Sequence, residues 1–189
     1  MNPSAGISLV ELMVATAVAA VLTAVAMPQF GALMDSRRAN AALQQIVVGL
    51  QFARHAAVSL GAPVSYCPSA DAATCGARDT WHRGAIVFID RDRNGSRTLL
   101  EPMLRAFPAL PAAGYVEWRS FRRRAHLAFE PSGFTSWQNG NFRFCPASGE
   151  PTLIRAVIVN PQGRVRRAPD IDGDGVPEDA NGRPYTCRT

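Results

Sequence analysis

The chain begins MNPSAGISLVELMVATAVAAVLTAVAMP (residues 1–28), and the reading of this stretch decides what the rest can be. Residues 7–27 are almost wholly apolar, yet Glu11 places a carboxylate among them. About 20 apolar residues span a bilayer as a helix, and a carboxylate inside such a span costs roughly 2.5–3.5 kcal/mol on insertion scales. A cleaved secretory signal would explain Ala24-Val25-Ala26 as a small-x-small site. However, no Lys or Arg precedes the apolar run, and Glu11 suits an h-region poorly. A plain membrane anchor fits the length and leaves Glu11 without a purpose.

A third reading accounts for the carboxylate. Gly6-Ile7-Ser8-Leu9-Val10-Glu11 resembles the type IV prepilin processing signal. The resemblance implies that prepilin peptidase cuts after Gly6, that the new N-terminus at Ile7 is methylated, and that Glu11 becomes the fifth residue of the mature chain. The free amine at Ile7 would then pair with Glu11 of a neighbouring subunit as a filament grows, so that a buried charge sets register. Pro28 falls where such proteins carry a helix-kinking proline. The leader, residues 1–6, departs from the pattern in lacking a basic residue.

Outward from this segment the helical signal continues. Phe30, Leu33, Met34, Leu43, Ile46, Val47, Leu50, Ala53 and Ala57 recur at spacings of three and four, with Asp35, Arg37, Arg38, Gln44, Gln45 and Arg54 on the remaining surface. Gly61-Ala62-Pro63 ends the helix. Residues 7–28 thus form an apolar transmembrane and assembly half, and residues 29–62 an amphipathic half that packs one stripe on a globular head. Beyond residue 63, short Val/Ile/Phe/Tyr runs alternate with Gly, Pro, Asn and Asp clusters, the pattern of antiparallel strands. Strands are expected at 63–67, 84–90, 98–106, 114–119, 125–130, 142–145, 153–160 and 164–167. Residues 63–167 form the β-rich head, and residues 168–189 a polar tail without periodicity. The expected fold is α+β: a long N-terminal helix on an antiparallel sheet or sandwich.

The chain of 189 residues carries a net charge of +5, which favours acidic partners. Every basic side chain except the histidines is arginine, the residue better suited to bidentate phosphate contact. Cys67, Cys75, Cys145 and Cys187 form an even set downstream of an export-like segment and read as two disulfides in an oxidising compartment. No CxxC occurs and the three histidines are scattered, which weighs against zinc. Three pairings are possible; Cys67–Cys75 with Cys145–Cys187 keeps partners within one region of the chain. GxSxG, HExxH, P-loop and dinucleotide patterns are absent, so a non-enzyme is expected.

WHRGAIVFIDRDRNGSRTLLEPMLR (residues 81–105), following a prepilin-like helix, resembles the GspH/FimT family of minor pilins and pseudopilins through Gly84, Val87, Phe88, Asp90, Asn94, Gly95 and Glu101. The resemblance implies a pilin fold, an inner-membrane anchor with a periplasmic head, and other pilin or pseudopilin subunits as partners. Asp90, Asp92, Asn94, Gly95 and Glu101 also satisfy the EF-hand spacing. Strand-like flanks and the Asn-Gly pair argue for a hairpin turn instead. The loop Asp170-Ile171-Asp172-Gly173-Asp174-Gly175 is denser; with Glu178 or Asp179 it could wrap calcium or be a solvated acidic turn.

Two arginine clusters stand out. Arg122, Arg123 and Arg124 lie next to Trp118 and Phe121, and such a run is commonly a solvated face. Gly163-Arg164-Val165-Arg166-Arg167 follows a turn, and in a strand Arg164 and Arg166 share one side, about 7 Å apart, near the spacing of successive phosphates. Salt bridges to the acidic tail would place them equally well. The Gly163–Arg166 tetrapeptide resembles the glycine-arginine-x-arginine motif with which FimT-type minor pilins bind DNA in natural transformation. That resemblance implies phosphate-driven contact with double-stranded DNA through Gly163, Arg164, Arg166 and Arg167. The alternative is a GspH-type pseudopilin of type II secretion with no nucleic-acid role. No aromatic run accompanies the motif in sequence, so base stacking is not expected.

Overall fold

The structure is a computed structural model that describes residues 8–188; within its helix the side chains of residues 25–29 are left undescribed. Gly6 and Ile7 lie outside the described residues. The chain divides into a unit Met1–Arg37 and a unit Arg38–Thr189, both crossed by α1 (Leu9–Leu60), which contains Pro28.

Within the first unit, Ser8 caps the helix: its carbonyl accepts from Leu12 N, and its Oγ accepts from Glu11 N at 3.2 Å. Ser-x-x-Glu is the capping-box pattern, and a carboxylate in the first turn also meets the positive end of the helix dipole. Glu11 therefore has a local role beside any assembly role. Leu9, Val10, Leu12, Met13, Val18, Val21 and Leu22 are all more than half exposed. Among the described residues no helix is long and apolar enough to cross a membrane. Described side chains of the apolar run cover residues 9–24, about 24 Å of helix at 1.5 Å per residue, whereas the full run extends over residues 7–27.

In the second unit the later part of the expected stripe is buried, Leu43, Ile46, Leu50, Ala53 and Ala57, joined by Ala39 and Ala42 and with Val47 partly buried, whereas Phe30, Leu33 and Met34 of the first unit are exposed. Small residues bring the backbone close to the sheets. At Gly49 a Cβ would stand 2.6 Å from the Tyr66 ring, so only glycine admits that aromatic against the helix. Eight strands follow: β1 (Val64–Pro68), β2 (Ala85–Ile89), β3 (Met103–Phe107), β4 (Gly114–Ser120), β5 (Leu127–Phe129), β6 (Gly140–Pro146), β7 (Arg155–Val159) and β8 (Val165–Arg167). They form two four-stranded antiparallel sheets, ordered β3-β2-β1-β5 and β4-β6-β7-β8. Tyr66 of the first sheet meets Trp81 at 4.8 Å, Trp81 meets Phe142 edge-on at 4.9 Å, and Phe142 stacks on Trp118 at 4.2 Å. This aromatic chain joins the two sheets through one core.

The strand expected at 98–106 starts only at Met103. Glu101 turns the chain before it: its carboxylate accepts from Arg91 N at 3.1 Å and from Thr98 N at 2.9 Å. Cys67 is bonded to Cys75 and Cys145 to Cys187. The second disulfide ties the C-terminal segment to β6, beside the edge strand β4 of the second sheet. There Tyr115 Oη donates to Arg188 O at 2.7 Å, Arg143 lies over the Tyr185 ring at 4.7 Å, and Arg188 pairs with Glu117 at 3.4 Å.

Candidate nucleic-acid interface

The β7–β8 hairpin turns on Asn160-Pro161-Gln162-Gly163. Gly163 N donates to Asn160 O at 2.9 Å, Arg164 N donates to the Asn160 side-chain oxygen at 2.8 Å, and Asn160 N donates to Arg164 O at 3.1 Å. Gly163 has φ +72°, and a Cβ there would fall 2.2 Å from Gly133 O. The glycine that opens the motif is thus required twice, by backbone sign and by space. The turn is docked from two directions. Thr135 N donates to Pro161 O at 2.9 Å, while Arg54 of α1 donates through Nη2 to Gln162 O and through Nε to Gly133 O, both at 3.1 Å.

This anchoring places Arg164 and Arg166 around one cavity of about 590 Å³, which Gln51, Arg54, Ile158 and Asn160 also line. Three arginines line it and no carboxylate does. Arg54 is engaged by neutral carbonyls, so its charge stays uncompensated. Among the described residues Arg164, Arg166 and Arg167 form no ion pair with the acidic tail. Val165 packs partly on the core between the two exposed arginines. Arg167, one position on, instead donates to the Gln44 side chain at 3.2 Å, as strand alternation requires.

Sequence reasoning did not assign Arg54 or Gln51 to this place: Arg54 reads as part of the helix's polar surface, and nothing in the local sequence marks Gln51. The expectation that no aromatics accompany the motif needs correcting in space. Phe134 and Trp137 line a second cavity, about 610 Å³, together with Pro161 and Gln162 of the same turn, and Trp137 is 71% exposed. They come from the loop after β5, remote in sequence and therefore invisible to a search around residue 163.

Arg122 and Arg123 are exposed and Arg124 half-buried. They follow β4, and register runs Ser120–Gly140–Val159–Val165 across the sheet. The arginine run and the β7–β8 turn therefore leave the same end of the sheet from opposite edges, about 14 Å apart at 4.8 Å per strand. The structure does not bring the two clusters into one site.

Asp90 is buried at the end of β2, accepting from Ser65 Oγ and from Gly95 N. Burial raises its pKa, aided by the Glu101 charge, while the Ser65 and Gly95 donors oppose the rise. Asp92 accepts from Asn94 in the following turn. Strands flank this loop where an EF-hand has helices. Asp170, Asp172 and Asp174 are exposed in a turn of the tail, and Glu178 beside them is buried.

Comparison with known proteins places this architecture. The family model described as type II transport protein GspH matches residues 42–163, and the prokaryotic N-terminal methylation motif matches residues 1–27. Two crystal forms of the type IV minor pilin FimU of Pseudomonas aeruginosa resemble the chain. One has TM-score 0.53 and 24% identity, covering 69% of this chain and 87% of that one. The other has TM-score 0.52 and 22% identity, covering 69% and 91%. No match was found among curated proteins. The family model spans most of the helix-and-sheet unit and ends on Gly163, so the motif arginines lie just past it. By sequence this chain belongs to the GspH family of type IV pilin-like proteins, and its fold is that of the FimU structures.

Proposed function

We infer that this minor pilin binds DNA without sequence preference, as part of DNA uptake, through the cavity lined by Arg54, Arg164 and Arg166. The observation that carries the reading is that three arginines and no carboxylate line one cavity. Such a surface recognises phosphates rather than base edges. Arg167 and, from the other sheet edge, Arg122, Arg123 and Arg124 add to the field at that end of the head. In this reading prepilin peptidase cuts after Gly6, Ile7 becomes the methylated N-terminus, and Glu11 and Pro28 serve assembly with other pilin subunits. Residues 7–28 hold the chain in the inner membrane, with the head in the periplasm, until a pilus takes it up.

The test is a gel shift of the full chain in detergent with a double-stranded probe, beside an Arg164→Ala/Arg166→Ala variant. Two or three phosphate contacts predict that affinity falls about ten- to fortyfold between 50 and 200 mM salt. The variant should bind more weakly and with a shallower salt slope. Equal binding by both proteins, or none by either, removes the reading.

A pseudopilin role in type II secretion is the second reading. It is favoured by the family description and by the position of the arginines beyond the matched segment. It predicts that deletion stops protein export and that the double-alanine variant restores it in full.

A further inference from the structure

We propose that the tail loop of residues 170–178 is a calcium site formed by Asp170, Asp172, Asp174 and Glu178. One carboxylate oxygen from each of the four lies within 4.8 Å of the others. Clustered acids on a surface turn are commonplace, and hydrogen bonds inside the turn explain the three aspartates locally. Asp170 accepts from Gly173 N and Gly175 N, Asp172 from Asp174 N, and Asp174 from Val176 N.

Glu178 is different. It is 3% exposed, and one oxygen accepts from Ile171 N at 2.7 Å while the other, Oε1, is buried without a hydrogen-bond partner. Among the described residues no arginine or histidine forms an ion pair with any of the four. A desolvated, unpartnered oxygen on a carboxylate clustered with three further carboxylates is unfavourable as it stands. A divalent cation between them supplies the missing partner for Glu178 Oε1 and the missing counter-charge for all four.

The donor set indicates which cation. Four carboxylates with no nitrogen or sulfur donor suit a hard ion. Ligands on alternate residues of a short irregular loop match the flexible, many-oxygen coordination of calcium rather than the rigid octahedron of magnesium. The backbone already closes around this place: Glu178 N donates to Pro169 O at 2.8 Å, and Glu178 bridges to Pro184. The loop links the end of β8 to the segment held by Cys187, so the ion would fasten the tail between these two anchors. This inference stands independently of DNA binding.

The experiment is calorimetric titration of the full chain in detergent with CaCl2 to about 5 mM, a ceiling set by the weakest extracellular calcium modules, with thermal unfolding in parallel. Saturable binding of one ion and a raised Tm are expected. Asp172→Asn/Asp174→Asn should weaken binding about tenfold or more, because affinity follows ligand charge. Both residues are exposed, so the variant should fold; Asp172→Asn alone is the milder version, and a Tm in EDTA equal to wild type verifies folding. Glu101→Gln, at the β2–β3 turn, should leave binding unchanged. Absence of heat and of any Tm shift overturns the proposal. So does undiminished binding by the folded tail variants, or loss of binding in Glu101→Gln.

Discussion

Arg54 on α1 donates to the carbonyl of Gln162, 108 residues further along the chain, and with the same guanidinium to Gly133 O. One side chain thereby locks the helix, the loop after β5 and the hairpin that carries the arginine motif. Charge-assisted bonds to carbonyls are worth about 1.5–3 kcal/mol each. Arg54→Ala should therefore lower stability by a few kcal/mol and also weaken DNA binding in the gel shift. Arg54→Lys keeps the charge and loses the fork; it should recover more of the DNA affinity than of the stability. Alanine and lysine variants with equal affinity would show that Arg54 only props the turn.

Gly163→Ala tests whether the turn geometry is as tight as it stands. Gly163 at φ +72° and Gly149 at φ +73° share a backbone sign, but a Cβ at Gly149 meets nothing within 4 Å. Gly149→Ala should cost about 1–2 kcal/mol, the left-handed penalty alone. At Gly163 the added carbon meets the Gly133 carbonyl, and the loss should reach roughly 3–5 kcal/mol, in the range that marks overpacking against backbone. Thermal unfolding of the pair separates the two contributions; equal losses would mean that the hairpin shifts freely.

What could be read from the chain follows the range of the interaction involved. The buried stripe from Leu43 to Ala57 and the Val/Ile/Phe strands were legible because periodicity is local, although the same periodicity ran on to Phe30, Leu33 and Met34, which are exposed. Glu101 misled the boundary of β3, since a strand-like run hid a carboxylate that binds two backbone amides and makes a turn. The Ser-x-x-Glu capping pattern of Ser8 and Glu11 stands in the sequence, yet the surrounding apolar residues drew the reading of Glu11 toward filament assembly alone. Arg164 and Arg166 were legible from the tetrapeptide. Arg54, Phe134 and Trp137 were not: their neighbours at the turn come from other segments, and nothing local marks the meeting.

The two disulfides should differ in weight. Cys145 and Cys187 are 42 residues apart, Cys67 and Cys75 only 8. Loop-closure entropy then gives about 4 kcal/mol for the longer loop and about 2.6 kcal/mol for the shorter. Replacing each pair by serine should lower the Tm more for Cys145/Cys187. Limited proteolysis of that variant should also cut first within the tail, where Arg188 and Tyr185 lose their tether. Equal Tm losses would place the stabilisation in native packing and not in the unfolded chain.

His126 supplies the pH dependence. It is 6% exposed, and its Nε2 lies 3.3 Å from Gln138 Nε2. Gln138 accepts from Ala128 N through Oε1, so its amide nitrogen faces the ring and donates. His126 Nε2 must therefore be an acceptor, which fixes the neutral imidazole with its proton on Nδ1. Burial, and secondarily the Arg124 charge, lowers its pKa from 6.5 to about 4. A histidine whose pKa is depressed on folding binds its proton more readily when unfolded. Stability is then complete above pH 6.5, falls as pH drops toward 4, and levels off below, by up to about 3 kcal/mol. Thermal unfolding between pH 7 and pH 4 should show that decline in the wild type. His126→Asn removes the titrating group, and its curve should be flatter by the same amount; an unchanged slope would assign the decline to the carboxylates instead.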